Sequence, residues 1–157
     1  MERRWMTHPD IRWLAPGELQ AAALIDLKTD GNNLSVFEVR DRADEERVAT
    51  ALAATRENPQ EYDYAVFSDE ELSALGVRSE PSKGRTPDDT VNVMHRILIN
   101  LTAKQLAEVA KLISRGEYTR ILKKQMKSLL VDALASGTLV EERINEKLKI
   151  RLQGDRR

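Results

Sequence analysis

Asp26, Glu38 and Arg40 are the residues of this chain whose types and spacing fit a chemical task. They lie in AAALIDLKTDGNNLSVFEVR, the stretch from Ala21 to Arg40. Its alternation predicts a β-hairpin, with Ala23 to Lys28 as one strand and Leu34 to Arg40 as the other. Asp30-Gly31-Asn32-Asn33 supplies the turn. A loop that sets Ile25 and Leu27 opposite Phe37 and Val39 also sets Asp26, Glu38 and Arg40 on one shared face. Two carboxylates on adjacent strands suit a divalent cation. Mg²⁺ takes one or two carboxylates and completes its shell with water and phosphate oxygens. A neighbouring cation would steady a phosphate in the transition state. The plainer reading is ordinary surface charge, with Asp26 beside Lys28 and Glu38 beside Arg40. Apolar residues on both faces of the hairpin imply a sheet covered on both sides.

A second group is basic. Arg120, Lys123, Lys124 and Lys127 recur at helical spacing on a helix predicted over Tyr118 to Ser136, and Arg115 lies just before it. Such a stripe would bind nucleic-acid phosphates with salt-dependent affinity. No aromatic residue interleaves with it to stack bases, and no recognition-helix pattern accompanies it. A solvated face, or a contact with the acidic half of the chain, accounts for the same residues. The charge is divided: residues 1–80 carry 9 Lys/Arg and 17 Asp/Glu, net −8, and residues 81–157 carry 16 and 9, net +7. That split points either to an anionic partner or to two halves that neutralise each other.

Other chemistry finds little support. The chain has no cysteine, which excludes disulfides, thiolate catalysis and Cys-ligated metals. His8 and His95 fall in no metal-binding spacing, and His95 reads as a partly buried structural residue. No nucleophile elbow or phosphate-binding glycine loop occurs. No apolar run is long enough to span a bilayer, and MERRWMTHPD lacks the apolar core of a secretory signal, so the expected location is cytoplasmic and no membrane partner is expected.

The elements that must position these residues follow in order. Residues 1–20 read as an irregular arm anchored by Trp5 and Trp13. After the hairpin, Asp41 to Arg56 reads as a helix capped by Asp41 or Asp44, and Tyr62 to Phe67 as a short strand. Ser68-Asp69-Glu70-Glu71 is a capping box that opens a short helix, stopped at Gly76. Val77 to Arg85 reads as a linker between an acidic α/β part (1–76) and a basic helical part (86–157) of one domain. Thr86-Pro87-Asp88-Asp89 starts a helix with the stripe Val91, Met94, Leu98 and Leu101. Thr102 to Gln105 is a second capping box, Gly116 a break, and Leu139 to Leu152 a last charged helix whose apolar seam docks on the chain's own core or on a partner. The expected fold is α+β: a small three-stranded ββαβ sheet with an N-terminal arm, covered by a C-terminal bundle of three to four helices.

IDLKTDGNNLSVFEVR, followed by a helix and YDYAVFS, resembles the core of the PD-(D/E)XK nuclease superfamily over about residues 22–68. The resemblance implies a metal-dependent nuclease, or an inactive domain derived from one. Asp26 and Glu38 would be its Mg²⁺ ligands, and Arg40 would stand where the family has lysine. Arginine does not readily lose its proton, so it cannot serve as a tunable lysine does. Beside this, the leading expectation is a non-catalytic cytosolic binding or regulatory protein with no cofactor. It would act through helical surfaces, with a protein partner or by self-association. Nucleic-acid binding through Arg115, Arg120, Lys123, Lys124 and Lys127 is the further alternative.

Overall fold

The computed structural model describes residues 3–8, 24, 27 and 29–154. Its centre is one open sheet of six strands: β1 (Arg4–Thr7), β2 (Leu34–Val39), β3 (Tyr62–Ser68), β4 (Arg78–Pro81), β5 (His95–Ile99) and β6 (Glu117–Ile121). Their spatial order is β4-β5-β2-β1-β3-β6, and each pairing is antiparallel. Six α-helices accompany them among the described residues: α1 (Arg42–Ala53), α2 (Asp69–Ala74), α3 (Asp89–Met94), α4 (Ala103–Arg115), α5 (Lys123–Ala135) and α6 (Glu146–Gln153).

Side chains alternate across a strand, so one sheet feeds two cores. Trp5, Val36, Phe67 and Leu98 point to one side and pack with Leu72 of α2 and with Val109, Ala110 and Ile113 of α4. Met6, Phe37, Val39, Tyr62, Tyr64 and Val66 point to the other and meet Val48 of α1, Met126 and Leu130 of α5, and Leu148 and Leu152 of α6. The fold is therefore α+β, with helices on both faces, as the two-sided apolar pattern of Leu34–Val39 implies.

Three of the helix starts read from the sequence form as expected, whereas the start read at Thr86-Pro87 shifts, with Asp88 rather than Thr86 capping α3. Asp41 accepts from the Asp44 amide, Ser68 from the Glu71 amide, and Thr102 with Gln105 makes both bonds of a capping box. The turn at Asp30–Asn33 closes through two backbone hydrogen bonds of 3.0 and 3.1 Å, with Gly31 at φ +60°.

Several expectations are corrected. The sheet has six strands, not three, and the C-terminal helices form no single bundle, because α4 and α5 lie on opposite faces with β6 between them. β2 takes β1 and β5 as its ladder partners, and most of the strand expected over residues 23–28 lies outside the described residues. Trp5 belongs not to an arm but to an inner strand, set between β2 and β3. Four residues are too few to show a period, so RWMT reads as irregular by sequence. The stripe from Val91 to Leu101 is not one helix: α3 stops at Met94, and His95–Ile99 is strand. HRILI is apolar and β-branched enough for either state, and sheet pairing decides it. The expected linker holds β4. The expected helix from Tyr118 starts only at Lys123, because Glu117–Ile121 pairs with β3.

Gly116 permits that last pairing. A Cβ there would lie 2.4 Å from the Val66 carbonyl oxygen, a backbone atom that cannot swing aside. Gly116→Ala is expected to cost about 1–3 kcal/mol, the usual range for overpacking, read as a lower urea midpoint at unchanged slope. An unchanged midpoint would show that β6 sits farther from β3 than described.

Candidate functional site

The structure gives Glu38 and Arg40 separate partners. Glu38 accepts from Arg3 Nε at 3.0 Å. Arg40 lies beyond the end of β2 and grips Asp44 with Nε at 2.8 Å and a second guanidinium nitrogen at 3.2 Å. That hydrogen bond, chiefly, holds the Asp44 carboxyl below the usual aspartate range. Asp26 lies outside the described residues. Among the described residues, no group of three or more His, Asp or Glu is placed to hold a metal ion.

The expected basic stripe is dispersed over three elements. Arg115 ends α4, Arg120 sits on β6, and Lys123, Lys124 and Lys127 open α5. Arg120 is turned back onto Asp63 of β3, with Nε at 2.8 Å and a second nitrogen at 3.1 Å. The Tyr118 hydroxyl donates to the same carboxylate at 2.6 Å. Burial raises the Asp63 pKa, but the Arg120 and Tyr118 hydrogen bonds outweigh it and hold the group below the usual range. Burial first, then the bond to Asp63, pushes Tyr118 up to about 12. Arg120 is thus committed to the sheet, whereas Arg115, Lys123 and Lys124 are exposed and have no side-chain partner among the described residues.

A buried polar knot lies beneath the start of α1. Glu45 is 5% exposed; it accepts from Tyr64 Oη at 2.9 Å and from the Arg4 guanidinium. Arg42 stands 3.8 Å away and Glu117 takes the other side of Arg4 at 3.2 Å. Burial chiefly, with the bond to Glu45, raises the Tyr64 pKa. A hollow of about 440 Å³ opens here, but Arg4, Arg40 and Arg42 on its wall each already hold a carboxylate. The arrangement is charge-matched and joins α1 to β1, β3 and β6.

The uncompensated arrangement is elsewhere, along the α1 face of the sheet. Two hollows, of about 300 and 590 Å³, share Ser35, Phe37, Leu52 and Thr55 and so form one groove. Its floor is apolar where Phe37 of β2 meets Leu52 of α1. At one end stand His8, Tyr62 and Arg56. His8 stacks on Tyr62 at 4.4 Å, and Arg56 lies 5.3 Å from that ring. His8 Nδ1 faces the Asp63 carbonyl, which can only accept, and Arg56 donates to His8 Nε2 at 3.1 Å. The carbonyl can only accept, so Nδ1 carries a proton.

At the other end the loop 82–86, SKGRT, crosses the groove. It is pinned from inside. Thr86 N and Oγ1 donate to Asn92 Oδ1 at 2.7 and 2.8 Å, Asn92 Nδ2 returns to the Thr86 carbonyl at 2.9 Å, and Gly84 N donates to the Asn92 carbonyl at 2.9 Å. A Cβ on Gly84 would come within 3.0 Å of Asn92 Oδ1 and 3.3 Å of His95 Cβ, so the loop needs glycine to lie this close. With Gly84 and Thr86 held inward, Lys83 and Arg85 are left exposed on the rim, neither with a side-chain hydrogen bond or ion pair among the described residues. His95 donates Nδ1–H to the Ser82 carbonyl and packs edge-on to Phe37, which leaves Nε2 without a partner among the described residues. Asp30 is the acid among the residues lining the groove.

Sequence reading passes over Lys83, Arg85 and Arg56. The first two sit in a stretch whose Gly, Pro and Ser mark it as a linker. Two cations around a glycine in SKGR were the available signal. His95 is half-buried, as expected, but opens β5 rather than lying in the helix expected from Thr86.

An open antiparallel sheet with helices on both faces and a groove along one of them is the class this chain defines. Comparisons with family models, with curated proteins and with solved structures return no match. No described helix is long and apolar enough to cross a membrane.

Proposed function

We propose that this is a non-catalytic binding protein whose ligand is a small organic anion with an apolar part. One observation carries the reading: the groove joins an apolar floor at Phe37 and Leu52 to a rim on which Lys83 and Arg85 form no ion pair among the described residues. Binding sites of this size are mostly apolar, with a few polar groups that set orientation. The rim is held in shape before any ligand arrives, since Asn92 pins the loop, so little ordering cost opposes binding. His95 Nε2 adds an acceptor and the Ser35 hydroxyl a donor beside the cations, while the Thr55 hydroxyl donates to the Leu52 carbonyl at 2.6 Å. The reading moves the expected binding role from helical surfaces to a cleft between a helix and the sheet. The nuclease reading gains no support from Glu38 and Arg40, whose partners are Arg3 and Asp44.

Octyl phosphate, kept below its micelle concentration, is a suitable probe for amide NMR titration. Shifts are expected at Ser35, Leu52, residues 83–86 and His95. Lys83→Ala with Arg85→Ala should weaken binding about tenfold, the equivalent of about 0.7 kcal/mol for each partly exposed charge. Octanol should bind far more weakly. Equal binding of octanol, or shifts scattered outside the groove, would overturn the proposal.

A further inference from the structure

The sheet ends on β6, and nothing among the described residues pairs with its outer edge. An edge strand presents alternate N–H and C=O groups to solvent, and folds usually block such an edge with charge, proline or a covering element. β6 does the reverse. Its cation, Arg120, and its aromatic residue, Tyr118, are both drawn back onto Asp63 of β3, away from the rim. Neither turns a charged end outward along the edge. The strand has no proline, and Gly116 and the Val66 carbonyl clamp its start against β3.

The surroundings of that edge are basic. Arg115 stands at its beginning and Lys123 and Lys124 just past its end, all exposed and without partners among the described residues. Glu117, the acid on the strand, is already held by Arg4 at 3.2 Å. Leu122, 57% exposed, adds an apolar contact beside the two lysines.

We infer that β6 is a docking edge for an extended, acidic segment of a partner protein, which adds to the sheet as a seventh strand. Main-chain hydrogen bonds would supply affinity, and the flanking cations and Leu122 would select acidic residues around an apolar one. A second copy of this chain is the wrong occupant. Antiparallel pairing of β6 with itself brings Arg115 of one copy against Lys123 and Lys124 of the other, and like charges set opposite each other destabilise a strand pair. Nucleic acid would use the same cations but could not satisfy the strand's backbone groups in a ladder.

Amide hydrogen exchange on the full chain tests this, with a synthetic peptide in which glutamate alternates with valine as the probe. The peptide should slow exchange at outward amides of β6 and leave the groove amides at 83–86 unchanged. That separation keeps the outcome independent of the ligand proposal. Reversing three charges, Arg115→Glu with Lys123→Glu and Lys124→Glu, should weaken the effect at least about tenfold. Those residues are exposed and unpartnered, so the variant is expected to fold. Added salt should weaken binding as well. No protection by the peptide at millimolar concentration would overturn the inference. So would equal protection by an oligothymidylate, or concentration-dependent dimerisation that itself protects β6.

Discussion

Replacing Glu45 with alanine is expected to destabilise the fold by about 3–5 kcal/mol, the range seen when one member of a buried ion pair is removed. The size follows from what is left behind. The Glu45 side chain is 6% exposed and accepts both from Arg4 and from the Tyr64 hydroxyl. Without it, a guanidinium of which only 26% reaches solvent loses one of its two carboxylates, and a buried hydroxyl loses its acceptor. Glu45→Gln should cost less, because its amide oxygen still accepts from Tyr64. Glu45→Leu combined with Arg4→Met and Tyr64→Phe should be more stable than Glu45→Ala alone, since no polar group is then stranded. Urea unfolding followed by circular dichroism reads all three. A Glu45→Ala loss below about 1 kcal/mol would mean that water reaches Arg4 and Tyr64 freely, and that the knot contributes little.

Trp5→Ala is expected to cost a similar amount, about 3–5 kcal/mol by the scale of large-to-small core substitutions. Trp5 is wholly buried on the α4 face of the sheet, yet its polar edge is used: Nε1 donates to Asp69 Oδ1 at 3.0 Å. Arg3 and Arg96 lie 5.7 and 5.8 Å from its ring. Asp69 opens α2, so the indole ties that helix to an inner strand of the sheet. Trp5→Phe should retain most of the apolar burial but release Asp69, with a smaller loss and faster amide exchange in α2. If Trp5 only anchored an arm, as its place near the terminus suggests in the sequence, its removal would fray residues 3–8 and leave the global midpoint nearly unchanged. The two outcomes are readily told apart by comparing global unfolding with exchange at β3, which pairs with β1.

The prominence of the acidic hairpin in the sequence and its modest place in the structure have one explanation. Glu38 and Arg40 stand near each other in the chain, but each finds a closer partner from a segment that sequence spacing cannot bring near. Arg3 stands just before an inner strand too short to show a period, and Asp44 comes from the first turn of the following helix. The same reasoning covers the basic stripe. Helical spacing put Arg120, Lys123, Lys124 and Lys127 on one face; strand geometry through residue 121 took Arg120 away from it.

What the amino-acid order determined by itself was local. Helix starts at Asp41, Ser68 and Thr102 were legible because a cap needs only a side chain and an amide three residues on. The turn at Asp30–Asn33 and the two-sided burial of Leu34–Val39 were legible because period and turn chemistry act within a few residues. The α+β class followed from those pieces. Only tertiary structure decided that RWMT, HRILI and EYTRI are strands, since each is a short run that becomes a strand through a neighbour distant in sequence. Tertiary structure alone also decided which charges remain free. Arg40, Arg42, Arg47 and Arg120 are cancelled by carboxylates, while Lys83, Arg85, Arg115, Lys123 and Lys124 are not. Cancellation depends on distance across the fold, which no spacing along the chain records, and the two proposed sites lie where it fails.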